Sequence, residues 1–572
     1  MQHPVVATGA GRVRSLLVAA GATVAEGECL AELEGDAAGA AASAEVSAED
    51  PDLIRPDLAE VLARRRKLLD AARPEAVARR HGGGARTARE NIEDLCDPGS
   101  FQEYGGLGIA AQRSRRSLQD LIDRTPADGM VVGTGRINGD RFPDAVARCM
   151  VLAYDYTVLA GTQGTVNHHK KDRMFELAAR HRWPVVVFAE GGGGRPGDID
   201  TTHAGSLHIP AFTRFAQLSG KVPLVAIASG RCFAGNAVLA GCCDVIIATR
   251  NVSLGMGGPA MIEGGGLGVF HADEVGPVRV QQPNGVIDIV VEDEAGAVRV
   301  ARRYLSYFQG ALAHWRCADQ RRLRAMVPAN RLRAYDVRPV LHTLADEDSV
   351  LELRPVFALN MVTALARIEG RPIGVIANDP MHLGGAIDAA AADKAARFLQ
   401  LCDAFGLPVV SLCDTPGNMV GPEAERTALV RHCCRLYVVG ANVGVPIVSV
   451  VLRKAYGLGA QAMVGGSFHR PVLSVAWPTG EFGPMNLEGA VRLGYRKELE
   501  AIADPAARAA AFERMVSEAH ARGEALNAAT LFEIDDVIDP AHTRERIVEA
   551  LRSLPPAEAG GTAGRRPWVD TW

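Results

Sequence analysis

The chain has 572 residues, of which 48% are apolar, and a formal net charge of −5. This length exceeds the size at which a single hydrophobic core stops growing, so two large domains with extensions are expected. Of the 62 basic residues 55 are arginine, yet the charge balance is slightly acidic, which disfavours nucleic acid as a partner.

The cysteines and the apolar runs indicate a protein of a reducing compartment. There are eleven cysteines, an odd number, and no C-x-x-C pair, so neither a disulfide framework nor a zinc ribbon is predicted. The apolar runs have the length of strands, and no stretch has the pattern of a signal peptide. We therefore expect a cytoplasmic protein that spans no membrane and needs no metal.

In chain order, the sequence divides into five segments. Residues 1–36 carry glycines between short apolar runs, and residues 37–84 combine a linker with a helix. Residues 85–335 and 336–555 alternate apolar runs of strand length with Ala- and Leu-rich helical stretches, while residues 556–572 form a Pro-, Gly- and Ala-rich tail that we expect to be mobile. The alternation predicts the α/β class, with helices packed around buried strands.

The two large segments are copies of one another. Each contains a β-branched apolar run, a basic and aromatic turn, and a Gly-containing loop that opens an Ala-rich helix. The matching pairs are residues 221–237 with 443–460, 181–198 with 405–418, 135–139 with 366–370, and 97–104 with 346–353. Four landmarks in the same order indicate a tandem duplication of about 230 residues, so each half is predicted to be one domain.

Several of these motifs together resemble a known family. They are residues 97–104, the Gly-Gly-Arg turn at 193–195, and residues 234–237, 402–405, 414–417, 453–457 and 476–479. With these motifs the chain is similar to the carboxyltransferase component of biotin-dependent acyl-CoA carboxylases, from residue 86 to residue 539. The resemblance implies two tandem crotonase-like domains built on repeated ββα turns. It also implies an assembly in which the N-terminal half of one subunit faces the C-terminal half of another.

The first 36 residues carry a second resemblance. Residues 1–7, 11–13 and 21–34 are similar to the second half of a biotinyl carrier domain, the part that follows its Ala-Met-Lys-Met hairpin. In this register Met1 is the last residue of that motif, and the lysine that carries biotin would precede it. Because the first lysine of the chain is Lys67, we expect biotin on a carrier and not on this chain.

Two explanations fit this half domain. Either the chain is the C-terminal portion of a longer carboxylase, carrier and carboxyltransferase polypeptide, or it is a separate subunit with a vestigial half domain. The register at Met1 favours the first explanation. In both cases a half domain lacks its pairing strands and exposes strand edges, so we expect residues 1–50 to be poorly ordered or docked on the neighbouring body.

The chemistry that the resemblance implies requires main-chain groups. Transfer of a carboxyl group from carboxybiotin to the α-carbon of an acyl-CoA develops negative charge on the biotin ureido oxygen and on the thioester oxygen. Backbone N–H groups at a Gly-rich turn and a helix N-terminus stabilise such oxyanions with little reorganisation. Two oxyanions require two oxyanion holes, each a set of main-chain N–H donors that we call a cradle. A duplicated strand–loop–helix unit supplies two.

By this resemblance the amides of Gly235 and Asn236 form an N-terminal cradle, and those of Leu458 and Gly459 form a C-terminal cradle. The repeat independently pairs the same positions at an offset of 223 residues. The substrate-binding residues that the resemblance implies are Gly193, Gly194, Arg195, Phe233, Ala234, Tyr456, Gly457 and Gln461. We expect coenzyme A mainly on the N-terminal half and biotin mainly on the C-terminal half. No side-chain base is required, because biotin released from its carboxyl group can take the α-proton.

Four positions depart from the family pattern. Many members have Gly-Gly at positions 235–236 and Gly-Ala at positions 458–459, where this chain has Gly-Asn and Leu-Gly. Amide donation survives both changes. An aspartate that influences acyl preference in short-chain members is replaced here by Gln461, which favours a bulkier or longer acyl group than acetyl or propionyl.

Two segments also have simpler interpretations. Residues 191–194 lack the Gly-Lys-Ser/Thr of a P-loop and alone indicate only a turn, although their position before the repeated unit favours a function. Residues 168–171, His-His-Lys-Lys, could contact coenzyme A phosphates, but the start of a solvated charged helix is the simpler prediction.

Three alternatives to a carboxyltransferase are open to the sequence. A biotin-dependent or biotin-independent decarboxylase of a malonyl-type CoA thioester would use the same site in reverse. A crotonase-type hydratase or isomerase needs only one copy of the unit and usually a glutamate. A non-catalytic scaffold is disfavoured by the glycine loops of both halves. The partners expected are an acyl-CoA, a biotin carboxyl carrier, a biotin carboxylase, and further copies of this chain in a dimer or a hexamer arranged as a trimer of dimers.

Overall fold

The computed structural model describes residues 11–25, 27–35, 52–195, 197–200, 207–554 and 568–572. The chain divides into two units, residues 1–63 and 64–572. Within the first unit, Arg12 pairs with Glu34 and Leu16 with Ala31 in an antiparallel pair of strands. This pair lies in the segment predicted to be half of a biotinyl domain, whose first ten residues lie outside the described part.

The strands of the described residues are β1 (Arg12–Leu16), β2 (Ala31–Glu34), β3 (Gln102–Tyr104), β4 (Met130–Arg136), β5 (Arg148–Tyr154), β6 (Val185–Gly192), β7 (Leu224–Phe233), β8 (Val245–Thr249), β9 (Ser253–Gly255), β10 (Ile289–Val291), β11 (Leu351–Leu353), β12 (Met361–Ile368), β13 (Arg371–Asn378), β14 (Val409–Thr415), β15 (Ile447–Tyr456), β16 (Leu473–Ala476), β17 (Glu481–Gly483) and β18 (Asp536–Val537).

The α-helices of the same residues are α1 (Pro56–Arg66), α2 (Pro74–Gly82), α3 (Ala88–Leu95), α4 (Leu118–Arg124), α5 (Asp144–Ala147), α6 (Thr165–His181), α7 (Pro210–Ala216), α8 (Gly235–Gly241), α9 (Pro259–Gly264), α10 (Val278–Gln281), α11 (Glu294–Gln309), α12 (Arg338–Leu344), α13 (Ala389–Ala404), α14 (Pro422–Glu425), α15 (Leu429–Asn442), α16 (Gly457–Met463), α17 (Leu487–Gly494), α18 (Arg496–Glu500), α19 (Pro505–Gly523), α20 (Ala525–Thr530) and α21 (Thr543–Arg552). Among these helices, none combines the length and the apolar character that crossing a bilayer requires.

Two eight-stranded sheets in the second unit repeat one topology. The first has the order β10-β8-β7-β6-β5-β4-β3 with β9 beside β7, and the second has the order β18-β16-β15-β14-β13-β12-β11 with β17 beside β15. In each sheet the two pairings at the β3 or β11 end are antiparallel and the others are parallel. Strands β7 and β15 begin and end 223 residues apart, the offset read from the sequence. The predicted tandem α/β fold is therefore confirmed.

The central strands are buried because their sequences are nearly continuous apolar runs. Strand β8, with the sequence VIIAT, and strand β14, with the sequence VVSLCDT, have no exposed residue. Parallel strands covered on both faces have this composition, since neither face meets water. The strands leave this apolar core only at their ends, and the predicted site residues lie at the ends of β7 and β15.

One hydrophobic cluster joins the two sheets. It contains alternate residues of strands from both sheets together with the buried faces of α11 and α13. Helix α11 contacts strands β7 and β8 of the first sheet and β13 of the second. The outer face of each sheet packs in a separate cluster. The second unit is thus built around a shared central layer, while the domain boundary predicted at residues 335–336 stays a prediction.

The last five residues pack against the body, although the sequence predicted a mobile tail over residues 556–572. Val569 is buried, and its main chain exchanges two hydrogen bonds with the hydroxyl of Ser219, at 3.0 and 3.1 Å. The Trp572 ring lies 5.3 Å from the ring of Phe357, centroid to centroid. The apolar side chains of these last residues pack on the body. The Pro, Gly and Ala content of residues 556–572 taken together did not predict this packing.

Candidate active site

The two predicted cradles lie at equivalent joints between a central strand and a helix. Strand β7 leads into α8, which begins at Gly235, and β15 leads into α16, where Leu458 and Gly459 are the second and third residues. The first amides of a helix have no acceptor within the helix. Neither N-cap residue, Ala234 or Tyr456, caps its helix through its side chain. The main-chain donors are therefore placed at uncapped helix starts in both halves.

Close packing explains why glycine occupies both joints. A Cβ added at Gly235 would lie 2.4 Å from Nε2 of Gln163, and one added at Gly459 would lie 2.5 Å from the carbonyl carbon of Gly417. Real Cβ atoms do not approach other atoms so closely. A larger residue at Gly459 would displace the main chain of Gly417 and Asn418, and one at Gly235 would displace the side chain of Gln163.

The side chain of Asn236 ties the N-terminal cradle to three neighbouring segments. Its Nδ2 donates to the carbonyl oxygens of Gly161 and Glu190, at 3.2 and 2.7 Å, and its Oδ1 accepts from Nε2 of Gln163 at 2.7 Å. The residue is fully buried. Its exposure of 0% covers the whole residue, including its main-chain N–H, so the use of that N–H as an oxyanion donor stays a prediction.

The glycine turn predicted from the sequence lies beside this joint. The main-chain N–H of Gln163 donates to the oxygen of Gly193 at 2.9 Å, and the N–H of Arg195 donates to the oxygen of Gln163 at 2.9 Å. Gly193 has a φ of 77°, which favours glycine. A Cβ added at Gly193 or Gly194 would meet no described atom within 4 Å. The turn is held on one side and open on the other.

A cavity of about 540 Å³ opens at this turn. Its walls include Gln163, His168, Gly194, Arg195, Asp198 and Ile209. This volume is within the range of small-molecule sites, and the lining combines apolar and polar groups as such sites do. The cavity therefore borders both the glycine turn and Gln163, the residue that contacts Gly235.

Two basic side chains of helix α6 lie close to this cavity. Lys171 is fully buried, and its Nζ donates to Oε1 of Gln163 at 2.8 Å and to the hydroxyl of Tyr154 at 3.0 Å. Burial lowers the pKa of Lys171 to about 7. Burial, and after it the charge of Lys171, lowers the pKa of His168 to about 3, so this imidazole is neutral at physiological pH. The predicted solvated helix start over residues 168–171 is wrong for Lys170 and Lys171, because tertiary packing buries both side chains.

The side chain of Arg195 is buried and anchors the glycine turn to the segments around it. It is 4% exposed and forms an ion pair with Asp128, which is 0% exposed. The guanidinium also donates to the carbonyl oxygen of Thr162 at 3.0 Å. Burial raises the pKa of Asp128, and the charge of Arg195 opposes this shift. The guanidinium thus has internal partners, and a direct contact of Arg195 with substrate stays a prediction.

The C-terminal cradle is more exposed and is held differently. Leu458 is 63% exposed, and its main-chain carbonyl oxygen accepts a hydrogen bond from the hydroxyl of Tyr437 at 2.5 Å. Because the peptide group is planar and trans, this bond also fixes the direction of the Gly459 N–H. The hydroxyl of Tyr456 donates to Oε2 of Glu481 at 2.8 Å, which fixes the aromatic ring that precedes the cradle.

A second cavity of about 410 Å³ lies next to the C-terminal cradle. Gln461 is exposed and lines it together with Gly457, Phe468, Phe482 and Leu531. The two phenylalanine rings are 5.7 Å apart, centroid to centroid, in an edge-on arrangement. Position 461, where the sequence departs from short-chain members, therefore faces a space whose walls combine aromatic and aliphatic groups with the charged Arg522 and Glu533.

The predicted residues form one cluster in each half. Gly193, Gly194, Arg195, Phe233, Ala234, Gly235 and Asn236 lie around the end of β7, and Tyr456, Gly457, Leu458, Gly459 and Gln461 lie around the end of β15. Phe233 is 7% exposed and packs beside Gly258, while Ala234 has a φ of 51°. Sequence reasoning did not single out Gln163, which bonds to Asn236, or Tyr437, which bonds to Leu458. It considered Lys171 only as part of the charged run 168–171, and Lys171 bonds to Gln163.

The chain is similar over most of its length to proteins of known activity. Residues 79–559 match the model of the carboxyl transferase domain family. The chain is 34% identical over 505 residues to the methylmalonyl-CoA carboxyltransferase 12S subunit of Propionibacterium freudenreichii subsp. shermanii, covering 86% of this chain and 93% of that protein. It is 32% identical over 531 residues to the propionyl-CoA carboxylase beta chain of Saccharopolyspora erythraea, covering 89% and 95%.

Two known structures share both the fold and a clear sequence similarity with this chain. A single-chain, multi-domain long-chain acyl-CoA carboxylase superposes with a TM-score of 0.83 and 56% identity, covering 96% of this chain and 52% of that chain. The chain therefore spans about half the length of that carboxylase. The crystal structure of the transcarboxylase 12S hexamer, with methylmalonyl-coenzyme A and methylmalonic acid bound, superposes with a TM-score of 0.76 and 32% identity, covering 89% and 98%.

Proposed function

The chain belongs to the carboxyl transferase family of the biotin-dependent acyl-CoA carboxylases, and from this premise we propose how its two cradles divide the reaction. As in the rest of the family, the activity is transfer of a carboxyl group to an acyl-CoA. We assign the thioester oxyanion to the amides of Gly235 and Asn236, and the biotin ureido oxyanion to those of Leu458 and Gly459. The pair of helix starts without side-chain caps supports two such sites, and the division of the two oxyanions between them is our proposal from the family resemblance.

In this scheme the chain contributes fixed main-chain donors. Carboxybiotin on a carrier supplies the carboxyl group. The Gly235 and Asn236 amides hold the negative charge of the thioester oxygen after the α-proton has left, and the C-terminal cradle holds the charge of the ureido oxygen. Donors that meet charge only as it develops lower the barrier rather than strengthen ground-state binding. Loss of one such donor should cost about 3 kcal/mol, which is about 100-fold in rate.

We further propose an acyl substrate longer than propionyl. Gln461 is a neutral residue where short-chain members have aspartate, and it faces a cavity walled by Phe468, Phe482 and Leu531. The identity of 56% to the long-chain acyl-CoA carboxylase, against 32% to the propionyl-CoA carboxylase beta chain, supports the same conclusion.

The proposed reaction needs further components. We propose a biotinylated carrier and a biotin carboxylase as partners, with biotin on the carrier. The hexamer described for the 12S transcarboxylase supports an assembly of several copies of this chain, either a dimer or a hexamer. We place the protein in the cytoplasm, which fits the eleven cysteines, all of them unpaired thiols.

The function is tested by following a labelled carboxyl group. The whole chain is incubated with a carrier domain that bears ¹⁴C-carboxybiotin and with either propionyl-CoA or palmitoyl-CoA, and acid-stable label in the thioester is counted. We expect transfer to both and a higher kcat/KM for palmitoyl-CoA. A chain that labels neither thioester contradicts the function. Faster transfer to propionyl-CoA contradicts only the chain length.

The same assay separates transfer from decarboxylation. A decarboxylase would release the label as CO₂ without labelling the acyl-CoA. The relatives named above are carboxylases and carboxyltransferases, so the decarboxylase alternative is not favoured.

A further inference from the structure

Gln163 connects the glycine turn to the start of helix α8 through both main-chain and side-chain hydrogen bonds. Its main chain pairs with the glycine turn, as a donor to Gly193 and as an acceptor from Arg195, both at 2.9 Å. Its side-chain Nε2 donates to Oδ1 of Asn236 at 2.7 Å. One residue therefore sets the distance between the glycine turn and the start of helix α8.

The second half contains the same main-chain bridge with a different side chain. Ile387, which lies 224 residues after Gln163, donates its N–H to the oxygen of Gly417 at 3.0 Å and accepts from the N–H of Met419 at 2.8 Å. Both residues form an isolated parallel bridge to the glycine-containing turn. The bridge is thus a property of the repeated fold. The polar side chain of Gln163 is a property of the N-terminal half alone.

The side chain of Gln163 packs against the start of helix α8, so a side chain of another shape there would move the proposed oxyanion donors. It is 4% exposed, its Nε2 lies at the position that a Cβ of Gly235 would contact, and its Oε1 is held by Lys171 at 2.8 Å. With both ends of its amide engaged, the side chain has one orientation. Asn236 is then held through its own side chain, next to its main-chain N–H.

We infer that Gln163 is the positioning residue of the N-terminal cradle, acting through the Asn236 side chain on the direction of the Gly235 and Asn236 amides. The inference rests on the proposed function. It gives the two cradles different supports, a buried amide relay from Lys171 through Gln163 in the N-terminal half and the Tyr437 hydroxyl in the C-terminal half.

Replacement of Gln163 by methionine tests this role. Met is unbranched and of similar length, so it fills the space without the hydrogen bonds. We expect kcat for carboxyl transfer to fall about 10- to 100-fold, as a small misplacement of catalytic groups can cost about 100-fold. We expect KM for the acyl-CoA to change less than about 3-fold, because the oxyanion exists only after proton loss.

A second buried Gln–Asn pair provides the matched control. Gln309 accepts from Nδ2 of Asn138 at 2.8 Å and donates to the carbonyl oxygens of Ile137 and Val146. Gln309→Met removes the same kinds of bonds away from both cradles. It should lower the thermal midpoint as Gln163→Met does and leave kcat within about 2-fold of the wild type.

The route through Asn236 is tested by a double-variant cycle. Asn236→Ala keeps the main-chain N–H and removes the side-chain partner of Gln163. If Gln163 acts through Asn236, the double variant is no slower than the slower single variant, because coupled residues are non-additive. If Gln163→Met does not fold, Gln163→Glu, which keeps the acceptor for Lys171, replaces it in the same cycle.

The outcomes separate the inference from the function on which it rests. A wild-type chain without transfer contradicts the proposed function. An active wild type with Gln163→Met within about 2-fold of its kcat overturns the inference alone, and so do equal losses of kcat in the Gln163 and Gln309 variants. Multiplying effects of the Gln163 and Asn236 variants also overturn it.

Discussion

Arg195 and Asp128 form an ion pair that is almost fully removed from water, with side chains 4% and 0% exposed. The pair lies under the Gly193–Gly194 turn, and the guanidinium also bonds to the carbonyl oxygen of Thr162. A buried pair of this kind contributes little net stability by itself, but removal of one partner leaves the other charge without compensation. The turn is therefore anchored by a contact that tolerates no single substitution.

Arg195→Met should destabilise the protein by about 3 to 5 kcal/mol, because the buried carboxyl groups of Asp128 and Asp198 would lose the guanidinium that pairs with both. Urea denaturation measures the loss. The control is Arg546→Met, which removes a largely exposed pair with Asp536 and should change stability by less than about 1 kcal/mol. Equal effects of the two substitutions would contradict the anchoring role. Adding Asp128→Asn to Arg195→Met should restore part of the loss.

Gly235→Ala and Gly459→Ala should each lower carboxyl transfer by about 100-fold or more, which is the effect expected from loss of one oxyanion donor. The added methyl group would meet the Gln163 side chain at 2.4 Å in the first variant and the Gly417 main chain at 2.5 Å in the second, so each helix start or its neighbour must shift. Steady-state kcat is the measurement. Gly241→Ala is the control, since Gly241 ends the same helix as Gly235 and an added Cβ there meets no described atom within 4 Å. A Gly235→Ala variant as active as Gly241→Ala would show that this joint is not catalytic.

Lys171 should make stability depend on pH above neutrality. Its pKa is about 7 in the folded chain and about 10.4 when unfolded. Between these values the unfolded chain binds one proton more than the folded chain at this residue, so its contribution to stability increases with pH. The slope is at most about 1.4 kcal/mol per pH unit. Below about pH 7 both states are protonated and the contribution is constant.

The measurement compares urea denaturation of the wild type and Lys171→Met between pH 6 and pH 9.5. The stability of the wild type relative to the variant should rise above pH 7. Lys497→Met serves as the reference, because Lys497 is exposed and should give a difference that is independent of pH. A flat difference for Lys171→Met would mean that the amino group keeps its proton when buried.

Deletion of residues 568–572 should destabilise the second unit. The deletion exposes the surface covered by Val569 and removes the hydrogen bond from the main chain of Asp570 to Oε1 of Gln400, 2.9 Å long. Burial of one aliphatic side chain stabilises by about 1.5 to 3 kcal/mol, so a fall in thermal midpoint of several degrees is expected. Trp568→Ala, at a residue that is 52% exposed, is the comparison and should have the smaller effect. A deletion variant that melts with the wild type would contradict the docking.

The fold and both joints could be predicted because the signals are local. The apolar run, the turn and the glycines before Asn236 and before Gly459 recur within short segments, and the repeat doubles the evidence. The supports of the joints could not be predicted in this way. Gln163 and Asn236 are 73 residues apart, and Tyr437 and Leu458 belong to different helices, so their contacts depend on packing that no local pattern encodes.

Helix α6 is a case in which the local sequence led to a wrong prediction of burial. A run of histidines and lysines reads as a solvated surface, yet Lys171 is fully buried and bonds to Tyr154 and Gln163. Charge alone did not reveal which face of the helix meets the sheet. Comparison of the two copies offers one usable signal, since a glutamine in one copy stands at the position of an isoleucine in the other.

The central layer shared by the two sheets has a mechanical consequence. Helix α11 touches strands of both sheets, and α13 lies in the same hydrophobic cluster. A hinge between the halves would have to separate this layer and expose its apolar surface to water, at a free-energy cost that grows with every square ångström uncovered. We therefore expect the two halves to move together, with any local opening confined to surface loops.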